Sequence, residues 1–119
     1  MQDFRKLKVW EKSHLLALSV YRCTTSFPKE ELFGLTSQLR RSAVSIPSNI
    51  AEGSCRSGDT EFSRFLQIAM GSASELDYQL LLAHDLKYIN DQDYVNLNQE
   101  TVKTKQMLST FIKKLKADG

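Results

Sequence analysis

A chain of 119 residues with 41% apolar and 25% charged side chains has the size and make-up of one soluble domain around one core. Five Gly and two Pro leave little for the tight turns of a sheet, so the expected class is all-α. The formal charge of +2 does not mark a single copy as a nucleic-acid binder.

No apolar run exceeds four residues, which excludes a membrane-spanning helix. The opening "MQDFRKLKVW" has no apolar stretch of the kind that directs export. Cys23 and Cys55 fit no metal or redox spacing, so free thiols in the cytoplasm are expected.

The first helical stretch covers about 8–26. Trp10, Ala17 and Tyr21 fall on one side with Val9, Leu16 and Val20 beside them. It must stop before "FP", because the residue ahead of a proline avoids the α region. "PKEELFG" reads as a short turn opened by Pro28 and closed by Gly34.

The second helix, about 35–53, carries Leu35, Leu39, Ala43, Ile46 and Ile50 in one unbroken stripe. Pro47 lies inside it, removing a backbone bond and crowding the Ala43 carbonyl. A true break would shift the stripe, and Ile46 is a poor N-cap. The stripe crosses Pro47 in phase, so one kinked helix is expected, with Ser42 or Ser45 helping to satisfy the freed carbonyl.

The third helix, about 59–86, starts with Asp59 as N-cap and Glu61 in its first turn. Phe62, Phe65, Leu66, Ala69, Ala73, Leu76, Leu80 and Ala83 form its inner stripe. The fourth opens at Asn90 and covers about 91–116, with Tyr94, Leu97, Leu108, Phe111 and Leu115 inward. Lys113, Lys114 and Lys116 sit near its C-terminus, where cations suit the helix dipole. Short connections between four such helices predict one up-down-up-down bundle.

The chemistry motifs are weak. "GSCRSGDT" spaces its glycines like a phosphate-binding loop, but Asp59 replaces the lysine and no strand precedes it. "EKSH" is a Glu-x-x-His of the type that supplies di-iron ligands in bundles, which require a second such motif. His84 has Leu81 three residues before it, so Glu11 and His14 read as surface residues. Cys55 with His14 or His84 is only a pair of residue types. Neither a catalytic site, a metal nor a cofactor is expected.

The second helix is unusual away from its core stripe. At about 100° per residue, Gln38, Arg41, Ser45, Asn49 and Glu52 form a second line, and Arg40, Val44, Pro47 and Ala51 a third. A solvated face normally uses better helix formers than Ser and Asn. The third helix places Arg64, Ile68, Gly71, Glu75 and Leu82 opposite its core, and an interior glycine costs about 1 kcal/mol relative to alanine. Both helices therefore look built to meet other subunits. Arg41, Val44, Ser45, Asn49, Glu52, Arg64, Ile68, Gly71 and Glu75 are the expected interface residues, and cyclic closure is the common outcome.

Several stretches carry a resemblance: Val9-Trp10, Phe27-Pro28, Gln38-Leu39-Arg40-Arg41, "SIPSNIAEG" (45–53), and Gly71-Ser72 with Glu75-Leu76. With "EFSRFLQIAMGSASELDYQLLLA" (61–83), they make nearly the whole chain resemble the four-helix-bundle proteins encoded in intervening sequences of bacterial 23S ribosomal RNA genes. The resemblance implies a left-handed up-down bundle assembling as a ring, a pentamer with a central channel. A related branch resembles the accessory protein of diversity-generating retroelements, a ring that binds a reverse transcriptase and nucleic acid through basic surfaces. No catalytic activity is implied. The matching motifs carry Arg40, Arg41, Asn49, Glu52, Arg64 and Glu75 over as functional or interface positions. Ser13 stands where alanine is common, and Lys87 where a glycine often ends the third helix.

The functional expectation is a non-enzymatic oligomeric scaffold that binds RNA, DNA or a nucleic-acid enzyme, with no membrane partner. Arg40, Arg41, Arg56, Lys113, Lys114 and Lys116 are the candidate phosphate contacts, and a ring would add the basic stripes of several copies into one field. The alternative is a protein–protein module that binds no nucleic acid.

Overall fold

The apolar stripes close on one another as their spacing demands. The computed structural model describes residues 3–118. Among these, four helices are found and no strand: α1 (Lys8–Thr24), α2 (Leu35–Ser54), α3 (Asp59–Asp85) and α4 (Asp91–Asp118). Short 3-10 turns at Phe4–Lys6 and Lys29–Glu31 precede α1 and α2. Each helix packs on two neighbours, with α2–α3 the most extensive contact and α1–α4 the least.

Specific contacts fix the directions. Thr24 at the end of α1 accepts a bond from Arg40 Nε near the start of α2 at 2.9 Å. The Ser45 and Ser72 hydroxyls share a bond of 2.7 Å across α2–α3, where Gly53 lies against Phe62 and Phe65. His84 and Asp91 join the end of α3 to the start of α4 at 2.7 Å, while Phe62 and Phe111 meet edge-on at 5.2 Å. Neighbouring helices are thus antiparallel, giving the up-down-up-down order in a rod of 45 × 23 × 20 Å.

Leu39, Ala43, Ile46, Ile50, Leu66, Ala69, Ala73, Leu76 and Leu108 are completely buried. At about 25 cal/mol per Å² removed from water, this stripe-on-stripe burial is the main stabilising term. Three of the buried polar residues are almost fully enclosed. Ser13, Thr101 and Thr104 are buried, and each returns its hydroxyl to a carbonyl of its own helix: Trp10, Leu97 and Glu100 respectively. These internal bonds remove the penalty of an unpaired hydroxyl.

Several local expectations are corrected. Helix α2 runs continuously through buried Pro47, but neither Ser42 nor Ser45 is found bonding the Ala43 carbonyl among the described residues. Ser45 instead joins Ser72 and accepts from the Asn49 amide. Asp59 is the first residue of α3, and Gly58, at φ 90°, holds the cap position. A positive φ there favours glycine.

Tyr21 is exposed and carries the Arg40 guanidinium over its ring at 4.8 Å. Trp10, Tyr94 and Phe111 are only half buried against the core.

The end of α3 explains the odd lysine. Lys87 N–H reaches the His84 carbonyl and Tyr88 N–H the Ala83 carbonyl, both at 2.9 Å. This paired arrangement places Lys87 at φ 68°, the left-handed position that glycine usually fills. Tyr88 then lies on Phe27 and donates its hydroxyl to Glu31 Oε2 at 3.0 Å. The other Glu31 oxygen accepts the Leu35 N–H at the start of α2. One carboxylate thereby ties together the two connections at this end of the rod.

Candidate functional site

The two outer lines of α2 face different grooves. The second line borders α3, where a polar slot of about 570 Å³ is lined by Gln38, Arg41, Ser45, Ser72, Glu75 and Gln79. Asn49 buttresses its α2 wall, donating to the Ser45 carbonyl at 2.8 Å and to its hydroxyl at 3.0 Å. Gln79 is 8% exposed, and its side-chain oxygen has no partner among the described residues. Arg41 and Glu75 are exposed on opposite walls, and neither forms an ion pair among the described residues. The third line borders α1, where Val44, Pro47 and Ala51 face Trp10, Leu18 and Tyr21 across a shallow apolar groove.

The interface candidates therefore divide. Arg41, Ser45 and Glu75 gather at the slot. Ile68 and Gly71 are exposed on the outer side of α3, and a methyl group built on Gly71 would meet nothing within 4 Å. Val44, 40% exposed, belongs to the α1 side. Glu52 and Arg64, both expected as interface residues, each pair with a nearby residue of the same chain. Glu52 binds Arg56, and Arg64 binds Glu61 at 3.3 Å. The Arg56 and Arg64 guanidiniums also lie over the Phe65 ring, at 5.0 and 4.8 Å from its centroid.

The same contacts thin the basic candidates. Arg40 stitches α1 to α2 through Thr24 and Tyr21, and Arg56 is held by Glu52. Arg41, Lys113, Lys114 and Lys116 remain exposed without an acid partner among the described residues. The lysines cluster at the end of the rod where α4 finishes and α1 begins.

At that end lies a groove of about 900 Å³, which the sequence reading missed. Its floor is Leu7, Val9, Met107, Phe111 and Leu115, and Lys8, Lys12, Lys103 and Lys114 stand on its rim. At the opposite end, Phe33 is 94% exposed beside half-exposed Leu32. The available signal for the groove was the unequal length of the first and fourth helical patterns. Phe33 stands outside both neighbouring stripes, and periodicity is silent about such a residue.

The histidines and cysteines stay apart. Glu11 and His14 are exposed, with His14 stacked on Trp10 at 5.0 Å. His84 stacks on Tyr94 at 4.4 Å, and its bond to Asp91 holds that carboxyl below the usual carboxylate range. Burial, and secondarily the Asp93 charge, pushes the Cys23 thiol up, whereas Cys55 is exposed. Among the described residues no three His, Cys, Asp or Glu side chains converge as a metal site, and no helix is long and apolar enough to cross a membrane.

Comparison with known proteins accords with this architecture. A solved structure of a protein of unknown function, from the S23 ribosomal protein family of Bacteroides thetaiotaomicron, superimposes with a TM-score of 0.80. It is 28% identical, over 88% of this chain and 98% of that one. No curated protein matches the chain. The sequence pattern of one family matches residues 5–110, spanning all four helices, and the chain belongs to that family, the 23S rRNA-intervening sequence proteins.

Proposed function

We propose that this protein is a non-enzymatic, self-assembling scaffold that engages nucleic acid or an enzyme acting on it. The observation that carries the reading is the α2–α3 flank. Arg41 and Glu75 stand on opposite walls of a polar slot without ion partners among the described residues, beside exposed Ile68 and the notch at Gly71. A flank with one free cation, one free anion and a small-residue notch suits a head-to-tail contact with a second copy, in which Arg41 of one chain meets Glu75 of the next. Such charges set register and partner choice more than net stability.

Native mass at high protein concentration tests the assembly. Arg41→Glu and Glu75→Arg each dissociate it, and the double exchange restores it. A wild-type protein that stays monomeric at high concentration defeats the proposal.

The exposed C-terminal lysines support the nucleic-acid branch. Weak binding of single-stranded RNA is expected, falling as salt rises because bound counterions are released. The Lys113→Glu, Lys114→Glu, Lys116→Glu triple variant loses it, and an RNA titration flat at low salt removes this branch. The apolar groove favours the other branch, a protein partner.

A further inference from the structure

Helix α1 has 17 residues and α4 has 28, about 26 and 42 Å at 1.5 Å per residue. Their antiparallel packing sets Val9 near Met107, so the last turns of α4 continue past the start of α1. Among the described residues, the chain ahead of α1 (3–7) does not cover them. Its turn at Phe4–Lys6 packs on α1 and α2, with Phe4 edge-on to Trp10 at 5.0 Å. The bundle is therefore short of helix along one side of the C-terminal part of α4. Leu7, Met107 and Phe111 remain half buried above buried Val9 and Leu115.

We propose that this groove receives an amphipathic helix of about three turns from a partner protein, apolar toward the floor and acidic along both edges. Charge complementarity selects the acidic edges. Lys12 and Lys103 share the single carboxylate of Glu100 at 3.6 and 3.7 Å. Among the described residues Lys8 and Lys114 pair with no acid, and Asp59 is the only acid that lines the groove.

The floor selects protein over nucleic acid. Leu, Val and Met offer phosphates and sugars nothing, and a single half-buried aromatic, Phe111, packed against Phe62, is no platform for stacking successive bases. Leucines at i, i+3, i+4 and i+7 fill such a floor as a helix-in-groove contact. The proposal deepens the protein-partner branch and does not depend on self-assembly.

The test uses a fluorescent synthetic helix with leucines at that spacing and glutamates elsewhere, titrated with full-length protein and read by anisotropy. Two control peptides are used, one with the leucine spacing scrambled and one with lysine in place of glutamate. The acidic amphipathic peptide binds, the controls do not, and added salt weakens the complex. The Lys8→Glu, Lys114→Glu double variant changes two exposed side chains outside the core. It keeps the wild-type circular dichroism and melting curve, binds about ten-fold more weakly, and gains affinity for the lysine peptide.

Equal binding of the scrambled peptide, or a double variant that binds like wild type, overturns the proposal. So does self-association of the wild type that the double variant abolishes, since a sister chain would then fill the groove. Repeating the titration on Arg41→Glu separates the two ideas, because a failed flank contact leaves peptide binding intact.

Discussion

Replacing Gly71 by alanine separates what one chain needs from what an assembly needs. Gly71 lies in the interior of the 27-residue α3 and is exposed, with no atom within 4 Å of a built methyl group. Within one chain the added methyl is unopposed. It removes the entropic cost of an interior glycine and should stabilise α3 by about 0.8–1 kcal/mol. For a domain of this size that raises the melting temperature by roughly 3–6 °C.

At a helix-to-helix contact the same methyl acts in the opposite direction. It holds two backbones apart, and overpacking of this kind costs about 1–3 kcal/mol, at least several-fold in the dissociation constant of each contact. Thermal unfolding in dilute solution and native mass in concentrated solution should therefore move in opposite senses, the first up and the second down. A variant that melts higher and keeps its mass removes Gly71 from any subunit contact. A variant that melts lower in dilute solution contradicts the open space around it.

Three further substitutions test the fold that carries these surfaces. A methyl group on Gly53 would stand 2.8 Å from Phe65 Cβ and 2.9 Å from a Phe62 ring carbon. Because the first of these is anchored to the α3 backbone, Gly53→Ala should destabilise by about 1–2 kcal/mol in urea unfolding, and a neutral result would show that the two helices are not so close. Lys87→Gly should stabilise by about 1 kcal/mol by relieving the left-handed lysine at φ 68°, and no gain in denaturant midpoint counts against the paired cap. The Tyr88 phenol is raised above its ordinary value of 10.0, first by its bond to Glu31. That bond supports the fold below pH 10 and is lost as pH rises through the higher folded value. Alkaline unfolding should thus start above pH 10 and flatten in Tyr88→Phe, and a phenol titrating at its ordinary value refutes the bond.

The helix boundaries were legible to within two residues because stripes such as Leu35–Leu39–Ala43–Ile46–Ile50 repeat at a spacing that only a helix satisfies. The fourth stripe showed a gap between Leu97 and Leu108. The structure fills it with Thr101 and Thr104, whose hydroxyls bond inside their own helix and so pass as core. A reading by hydropathy discards them. Arg40 and Arg56 looked basic and free because charge is read from the residue, whereas Tyr21, Thr24 and Glu52 are brought to them only by the fold and by helical spacing. The Arg41 and Glu75 positions were legible as peculiar residues on two helix faces, but their placement across one slot required the α2–α3 register. The groove lies in no single residue. It arises where one helix begins late and the chain before it turns toward α2.

Position on the rod links the two proposed surfaces. The slot sits midway along the flank, bounded by Ser45 and Ser72, whereas the groove sits at the end where α4 finishes. In a ring that closes through the flank about an axis running along the rods, every rod keeps the same orientation, because rotation about that axis does not invert the long direction. All grooves and all exposed lysines of such a ring would then share one rim. A partner carrying several acidic helices, or held near the rim by one of them, would meet the next groove at high effective concentration. Weak single contacts of the kind that a small, lysine-edged groove offers would add into firm retention without any new chemistry. The same arrangement would place the Phe33 tips together on the opposite rim, so the two ends of the assembly would differ in character: basic and grooved at one, apolar at the other.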